Sequence, residues 1–163
     1  MTDELGAGAY RLRPVSEPDV RLLWKWANDP AARRASFDRD LIPWEEHVTW
    51  FAGRMSNDSS FMWIMEDLKE CKLGLVRFDL GPDNEAAVIS IYLDEQVRGQ
   101  GRGAWLIRRG CDLLAEHWGG HRVEAIVSID NLASLRTFER AGFKDAGSVR
   151  DGGGRLLTCH LET

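Results

Sequence analysis

A short segment rich in glycine and arginine carries the clearest chemical signal in the sequence. It reads Arg98-Gly-Gln-Gly-Arg-Gly103 and lies between an apolar stretch, residues 86–93, and a long helical pattern. Glycines let backbone N–H groups turn toward an anion without a Cβ in the way, and the N-terminus of the following helix adds partial positive charge. Arg98 and Arg102 add two full charges. The segment therefore predicts a binding site for a diphosphate group.

A dinucleotide-binding turn is the main alternative for this segment. Gly99, Gly101 and Ala104 formally fit the G-x-G-x-x-G/A template. A dinucleotide turn follows its strand almost immediately and opens the domain, whereas here residues 94–98 intervene and several predicted strands come first. The position in the chain therefore argues against a dinucleotide site.

Hydrophobic periodicity and turn residues define the elements that would position this loop. Strands are predicted at residues 10–13, 60–66, 72–79, 86–93, 122–128, 144–150 and 155–161. Helices are predicted after a capping Ser16 as far as Asn28-Asp29-Pro30, and at residues 43–51, 103–117 and 132–141. A tight hairpin turn is predicted at residues 151–154. The order predicts a mixed α/β domain with mostly antiparallel strands and one right-handed parallel crossover between residues 86 and 128.

Composition narrows the class of protein. The 163 residues, 44% of them hydrophobic, suit one domain spanning 1–163 with one core, preceded by a flexible N-terminus at 1–9. A net charge of −5 disfavours broad contact with nucleic acid or anionic lipid. The first ten residues have no apolar core, so we expect a cytoplasmic protein without a membrane span. Three widely separated cysteines without a CxxC pair predict neither disulfides nor a metal site, and a homodimer is compatible with the sequence.

Two motifs together resemble a known enzyme family. The Arg-x-x-Gly-x-Gly spacing of residues 98–103 is followed by Asn131-Leu-Ala-Ser-Leu-Arg-Thr-Phe-Glu-Arg-Ala-Gly-Phe143, and both are similar to signatures of the GCN5-related N-acetyltransferases (GNAT). The resemblance implies an α/β (α+β) GNAT fold: a mixed, mostly antiparallel sheet of about six or seven strands with a central splayed parallel pair, flanked by about four helices. It also implies acetyl-CoA as co-substrate.

The resemblance assigns three regions to acetyl-CoA. The fourth strand would offer backbone groups to the pantetheine arm, the glycine loop would hold the pyrophosphate, and the later helix would contact the far side. The residues assigned in this way are Ile91, Leu93, Arg98, Gly99, Gln100, Gly101, Arg102, Gly103, Ala104, Asn131, Ser134 and Phe138. Phe138 stands where the family often has a Tyr that protonates the thiolate. We therefore expect Phe138 to pack against the pantetheine and water to supply the proton.

The N-terminal half resembles one branch of the family. Trp26-Ala-Asn-Asp-Pro30 and Glu46-His-Val-Thr-Trp-Phe51 are similar to enzymes that acetylate the 4-amino group of nucleotide-linked deoxy sugars. Branches that acetylate the N-termini of ribosomal proteins share the Trp-x-Asn-Asp start. A non-catalytic acyl-CoA-binding module is a third interpretation, because Phe138 and Val88 stand where catalytic Tyr and Glu are common. The resemblance favours a nucleotide-linked amino sugar as acceptor.

Three residues are candidates for acid–base chemistry at the acceptor amine. His47 has an ordinary pKa of about 6.5 and can accept a proton near neutrality, although packing among aromatic residues of its own helix would equally explain it. Ser90 and Tyr92 alternate onto one face of the fourth strand, where they could hold a water or the amine. The candidate acceptor-binding residues are Arg33, Arg77 and Asp79. Arg33 and Arg77 would contact phosphates, with surface ion pairs as the alternative explanation.

Overall fold

Seven strands form one sheet in the computed structural model, which describes residues 9–162. The strands are β1 (Tyr10–Pro14), β2 (Ser60–Asp67), β3 (Lys72–Leu80), β4 (Ala86–Leu93), β5 (Arg122–Ser128), β6 (Lys144–Val149) and β7 (Gly154–His160). The α-helices are α1 (Val20–Ala27), α2 (Pro30–Ala35), α3 (Trp44–Met55), α4 (Arg102–His117) and α5 (Leu132–Arg140). Apart from Ala9, the start that was expected to be flexible lies outside the described residues.

The sheet has a parallel pair at its centre. Its order is β1-β2-β3-β4-β5-β7-β6, and all neighbours run antiparallel except β4 and β5. Pairing between these two strands is confined to residues 86–88 opposite residues 122–124, after which they diverge. The expected mixed sheet with a splayed parallel pair is therefore confirmed. The divergence leaves one edge of β4 unpaired over residues 89–93.

Helix α4 covers one face of the sheet. Its apolar residues Leu106 and Ile107 are fully buried with Val76 and Phe78 of β3. A Cβ placed on Gly110 would lie 2.9 Å from a methyl carbon of Val76, so glycine at this position lets the helix approach the strand. This packing fixes the start of α4, and hence the glycine loop, against the end of β4.

Helices α1 and α3 cover the opposite face. Leu23, Trp26 and Phe51 form a second core cluster there, with Tyr92 of β4 packed against it. Because side chains alternate along a strand, Ser90 shares this face with Tyr92. The sequence-based prediction that Ser90 and Tyr92 lie together on one face is confirmed.

One helix was missed by sequence reasoning. The sequence Asn28-Asp29-Pro30 predicts a helix stop, and α1 does end there, but the same residues also start α2. The Asp29 carboxylate accepts a hydrogen bond from the N–H of Ala31 at 2.9 Å, and Pro30 occupies the first helical position. The chain thus has five helices within the described residues instead of about four. The hairpin turn lies at Arg150–Gly152, slightly before the predicted position.

The described residues contain neither a membrane-spanning helix nor a cluster of metal-binding side chains. Within residues 9–162, no helix is long and apolar enough to cross a membrane. Over the same part of the chain, no group of three or more His, Cys, Asp or Glu side chains is arranged to hold a metal ion.

Candidate functional site

The glycine loop has the backbone geometry that an anion site requires. Gly99 and Gly101 adopt φ of +74° and +75°, values that residues with a side chain rarely adopt. Gly101 is also the N-cap residue of α4. A Cβ on either glycine would meet no atom within 4 Å, so this surface of the loop is open. The loop therefore presents free space directly in front of the N-terminus of a 16-residue helix.

A cavity of about 230 Å³ begins at this loop and runs between α4 and α5. Its lining residues are Leu93, Gly99, Gly101, Arg102, Gly103, Ala104, Ala133, Arg136, Thr137 and Arg140. Three of them are arginines, and none is acidic. The two helices approach closely at Gly103, where a Cβ would lie only 2.6 Å from the methyl carbon of Thr137. The cavity is positively charged and suits an elongated anion.

Arg102, one of the lining residues, has a buried hydrogen-bond donor without a partner. Its guanidinium carbon lies 4.9 Å from the ring centroid of Tyr10, which holds the side chain in place. Its Nε is buried and has no hydrogen-bond partner, the one such side-chain atom in the described part of the chain. A buried donor without a partner costs free energy, so a phosphate oxygen at this position would be strongly favoured.

The unpaired edge of β4 supplies backbone donors beside the cavity. The N–H of Asp94 donates to the carbonyl of Leu73 at 2.8 Å and so points toward β3. Successive residues of a strand direct their N–H groups to opposite sides. The N–H groups of Ile91 and Leu93 therefore point into the opening between β4 and β5. They are available to a carbonyl or amide that enters there.

One family model matches most of the chain. Residues 10–144 match the family model for the acetyltransferase (GNAT) domain. The chain belongs to this family. It is an acetyltransferase, and acetyl-CoA is its acetyl donor. The open glycine loop and the unpartnered Arg102 Nε fit the phosphates of that co-substrate.

Individual relatives agree on the family. The "Putative phosphinothricin acetyltransferase YwnH" of Bacillus subtilis is 28% identical over 121 residues, which is 72% of each chain. A solved structure of a "putative phosphinothricin N-acetyltransferase" is 25% identical, with a TM-score of 0.78 over 95% of this chain and 100% of that one. The spermidine N-acetyltransferase of Vibrio cholerae shares the fold, with a TM-score of 0.84 at 17% identity over 94% and 96%. The substrates in these names differ from the nucleotide-linked sugars of the branch that the N-terminal half resembles.

Helix α5 contacts the cavity through a face that sequence reasoning did not select. Asn131 caps the helix, and its Oδ1 accepts a hydrogen bond from the N–H of Ser134 at 3.2 Å. Phe138 is only 3% exposed and packs edge-on against Phe143 in the core. The lining residues are instead Ala133, Arg136, Thr137 and Arg140. Their spacing of three and four marks one side of a helix, so the signal was present in the sequence.

Arg98 has partners within the protein. Its Nε donates to the carbonyl of Leu93 at 2.8 Å, and its Nη2 donates to Oδ2 of Asp29, also at 2.8 Å. Its guanidinium carbon lies 5.5 Å from the ring centroid of Tyr92. The sequence predicted a direct contact with pyrophosphate, whereas the side chain is directed back toward β4 and α2.

Tyr92 is held in place by Asp29 and Trp26. Its hydroxyl donates to Oδ2 of Asp29 at 2.6 Å, and its ring stacks on Trp26 with centroids 5.0 Å apart. The hydrogen bonds from Tyr92 and Arg98 lower the pKa of Asp29 to about 2, and burial together with Asp29 raises the pKa of Tyr92 above its usual range. Tyr92 therefore retains its proton at neutral pH, and its hydroxyl donates a hydrogen bond to Asp29. Its candidate catalytic role stays a prediction.

His47 lies inside the packing between α1 and α3. Only 2% of the residue is exposed, and its Nε2 lies 2.8 Å from the carbonyl of Val20, so Nε2 carries the proton. Trp44, Trp50 and Phe51 surround the ring, as the alternative explanation of this residue expected. Burial lowers the pKa of His47 despite the hydrogen bond to Val20. The ring is thus neutral at pH 7, and its role as a base stays a prediction.

We expect His47→Gln to flatten the pH dependence of stability. An unfolded His takes up a proton near pH 6.5, whereas the buried ring resists protonation until lower pH, so stability is present above this range and is lost as the pH falls through it. Glutamine can keep the donor to Val20 without titrating. Urea unfolding of both proteins at pH 7 and pH 5 checks this. An unchanged loss between these pH values in the variant would contradict it, and full turnover would exclude proton transfer by His47.

Arg77, Asp79 and Ser90 form one cluster on the face of the sheet that α3 covers. The Nε of Arg77 donates to Oδ2 of Asp79 at 3.0 Å, and its Nη2 lies 3.5 Å from Oγ of Ser90. Arg54 of α3 pairs with the other oxygen of Asp79 at 2.9 Å. The Arg77 guanidinium carbon also lies 5.1 Å from the ring centroid of Trp50. Two guanidinium groups thus share one carboxylate, which leaves the cluster with a positive charge.

Arg33 shapes the loop that follows α2. Its Nε donates to the carbonyl of Ala27 at 2.7 Å, and its Nη1 donates to the carbonyls of Asp38 and Asp40 at 3.1 Å each. Its Nη2 lies 3.3 Å from Oγ of Ser36. The sequence suggested a phosphate contact for Arg33, but its donors already hold the loop backbone. Among the predicted acceptor-binding residues, Arg77 and Asp79 lie together and Arg33 contacts neither.

Proposed function

We propose that this GNAT domain transfers an acetyl group directly from acetyl-CoA to a primary amine of a small molecule, with both substrates bound at once. The observation that carries the proposal is the opening between β4 and β5. The cavity of the glycine loop lies on one side of β4, and Ser90 and Tyr92 lie on its other side. Two substrates that meet at this edge would gain much of the rate enhancement from positioning alone.

The chemistry at this edge needs three things. The amine must be neutral, the thioester carbonyl must be polarised, and the leaving thiolate must receive a proton. The N–H groups of Ile91 and Leu93 are candidates to polarise the carbonyl. Ser90, whose hydroxyl neighbours Arg77, is the candidate to hold the amine or a water. Phe138 has no proton to give, so we assign protonation of the thiolate to water.

We further propose that the acceptor carries an anionic group besides its amine. Arg54 and Arg77 face a single carboxylate, Asp79, so the cluster beside Ser90 has unbalanced positive charge. A nucleotide-linked amino sugar, the acceptor that the sequence resemblance favours, meets this requirement through its phosphates. Phosphinothricin, named for two relatives of the chain, meets it as an amino acid with an acidic side chain. Polyamines, named for a structural neighbour, do not.

An acceptor screen with a thiol-release readout tests the proposal. The panel contains nucleotide-linked 4-amino sugars, phosphinothricin, spermidine and peptides with free N-termini, each with acetyl-CoA. We expect release of coenzyme A with an acceptor that carries both an amine and an anion. Preference for spermidine or for a peptide would contradict the anionic acceptor, and binding of acetyl-CoA without release for any amine would contradict the transfer itself.

We expect Arg77→Met to raise KM for the anionic acceptor about tenfold with a smaller change in kcat, because one charge-assisted hydrogen bond is lost. Methionine keeps the apolar stem against Trp50. Steady-state kinetics with the acceptor found in the screen measures the effect. Arg54→Met is the matched control, since it removes the other guanidinium that Asp79 binds. An unchanged KM in Arg77→Met would exclude a contact between Arg77 and the acceptor.

A further inference from the structure

We propose that Arg98 and Asp29 act as a positioning pair that holds the acetyl-CoA loop in its binding geometry, and that Arg98 does not itself bind phosphate. The resemblance to the family suggests the opposite role, a direct contact between Arg98 and the pyrophosphate. The two roles make opposite predictions for Asp29, which belongs to the Trp26–Pro30 motif and lies outside the two acetyl-CoA signatures.

The contacts of Arg98 fix two directions at once. A guanidinium is rigid and planar. Its Nε donates to the Leu93 carbonyl and its Nη2 donates to the Asp29 carboxylate, so the two bonds fix the position of Asp29 relative to Leu93. The Leu93 carbonyl belongs to the last residue of β4, whose N–H points into the opening. Arg98, the first residue of the glycine loop, is therefore fixed both to the end of β4 and to Asp29.

Asp29 extends this link to the acceptor side of the site. Its Oδ1 accepts the N–H of Ala31 at 2.9 Å as the cap of α2, while Oδ2 accepts both the Tyr92 hydroxyl at 2.6 Å and Arg98 at 2.8 Å. The carboxylate is 22% exposed, so water screens this ion pair only in part. A phosphate that bound Arg98 would have to displace this carboxylate. Arg102, which lines the cavity, has no carboxylate partner to be displaced among the described residues, and its Nε is without a hydrogen-bond partner.

Calorimetric titration with acetyl-CoA separates the two roles. If Arg98 positions the loop through Asp29, Asp29→Asn and Arg98→Ala each weaken binding about five- to tenfold, and the double variant is no weaker than Arg98→Ala because both changes break the same link. If Arg98 binds phosphate directly, Asp29→Asn leaves affinity unchanged or increases it, since it removes a competing negative charge. Either unchanged or tighter binding by Asp29→Asn, or additive losses in the double variant, would overturn the proposal.

Salt dependence and two conservative variants distinguish positioning from loss of charge. Contacts with phosphate weaken as ionic strength rises, so Arg102→Ala, the matched control, should reduce the salt dependence of the dissociation constant. Arg98→Ala should leave that dependence as in the wild type. Arg98→Lys keeps the charge but cannot form both bonds, so we expect it to bind as weakly as Arg98→Ala. A reduced salt dependence in Arg98→Ala, or rescue by Arg98→Lys, would identify Arg98 as a phosphate ligand.

Effects of the variants on folding are separated from their effects on acetyl-CoA binding. Titrations are run well below each melting temperature, and Tyr92→Phe removes one bond to Asp29 without changing any charge. We expect Tyr92→Phe to weaken acetyl-CoA binding about twofold to threefold, and unchanged binding would count against Asp29 as the link. The titrations need only acetyl-CoA. An acceptor screen that fails would therefore refute the proposed acceptor but would not bear on the positioning role of Arg98 and Asp29.

Discussion

Gly101→Asp is expected to weaken acetyl-CoA binding about 100-fold or more. The side chain would project into open space in front of α4, where the backbone N–H groups at the start of the helix favour a bound anion. At an effective dielectric constant of about 20, a carboxylate about 5 Å from a phosphate charge is repelled by about 3 kcal/mol, which is more than 100-fold in affinity. Calorimetric titration with acetyl-CoA measures the loss.

Gly101→Asn is the control for this substitution. Asparagine has the same size and tolerates positive φ as well as aspartate does, so it shares the steric and backbone effects of the change. We expect it to weaken binding about tenfold or less. Equal losses for the two variants would show that shape, and not charge, decides binding at Gly101. Full affinity in Gly101→Asp would place the phosphates elsewhere.

Local features of the chain were predictable from the sequence. The bounds of β4 and β5 agree with the predicted strands at 86–93 and 122–128, because apolar runs flanked by turn residues define a strand without reference to the rest of the fold. The glycine loop was also predictable from its own residues and their immediate neighbours in the sequence. Its position at the end of an apolar strand and before a long amphipathic helix already indicated an anion site.

Long-range pairings were not predictable. Asp29 meets Tyr92 and Arg98 across 63 and 69 residues of sequence, and no local pattern marks an aspartate in a helix stop as their partner. The partners of Arg33 were not predictable either. In the sequence Arg33 resembles an exposed surface charge, whereas in the structure it donates to carbonyls of the loop that follows α2. In α5 the family motif directed attention to Asn131 and Phe138, while the helical spacing of Arg136 and Arg140 defines the cavity face. Motifs thus indicated a candidate site but did not show which of its side chains already have partners within the protein.

Arg13→Met is expected to lower the free energy of unfolding by about 3–5 kcal/mol, because it leaves buried carboxylates without their main partner. Arg13 donates to both oxygens of Asp19 at 2.8 and 2.9 Å and to Glu66 at 2.6 Å. The side chains of these two acids are only 2% and 5% exposed. Arg11 and Lys72 also pair with them but are largely exposed, so they compensate only part of the charge. Urea unfolding at pH 7 measures the change.

The pH dependence of this effect identifies its cause. Burial alone would raise the pKa of Asp19 and of Glu66, but the hydrogen bonds from Arg13 bring both below their usual range. Groups with a lowered pKa stabilise the fold above about pH 4 and lose that contribution as the pH falls. The difference between Arg13→Met and the wild type should therefore shrink in acid. Arg122→Met, which breaks a more exposed pair with Glu124, should cost less than about 1 kcal/mol. A loss in Arg13→Met that is just as small would mean that Arg11 and Lys72 suffice to neutralise the buried acids. A loss that persists unchanged at pH 3 would mean that the packing of the Arg13 side chain, and not its charge, is the cause.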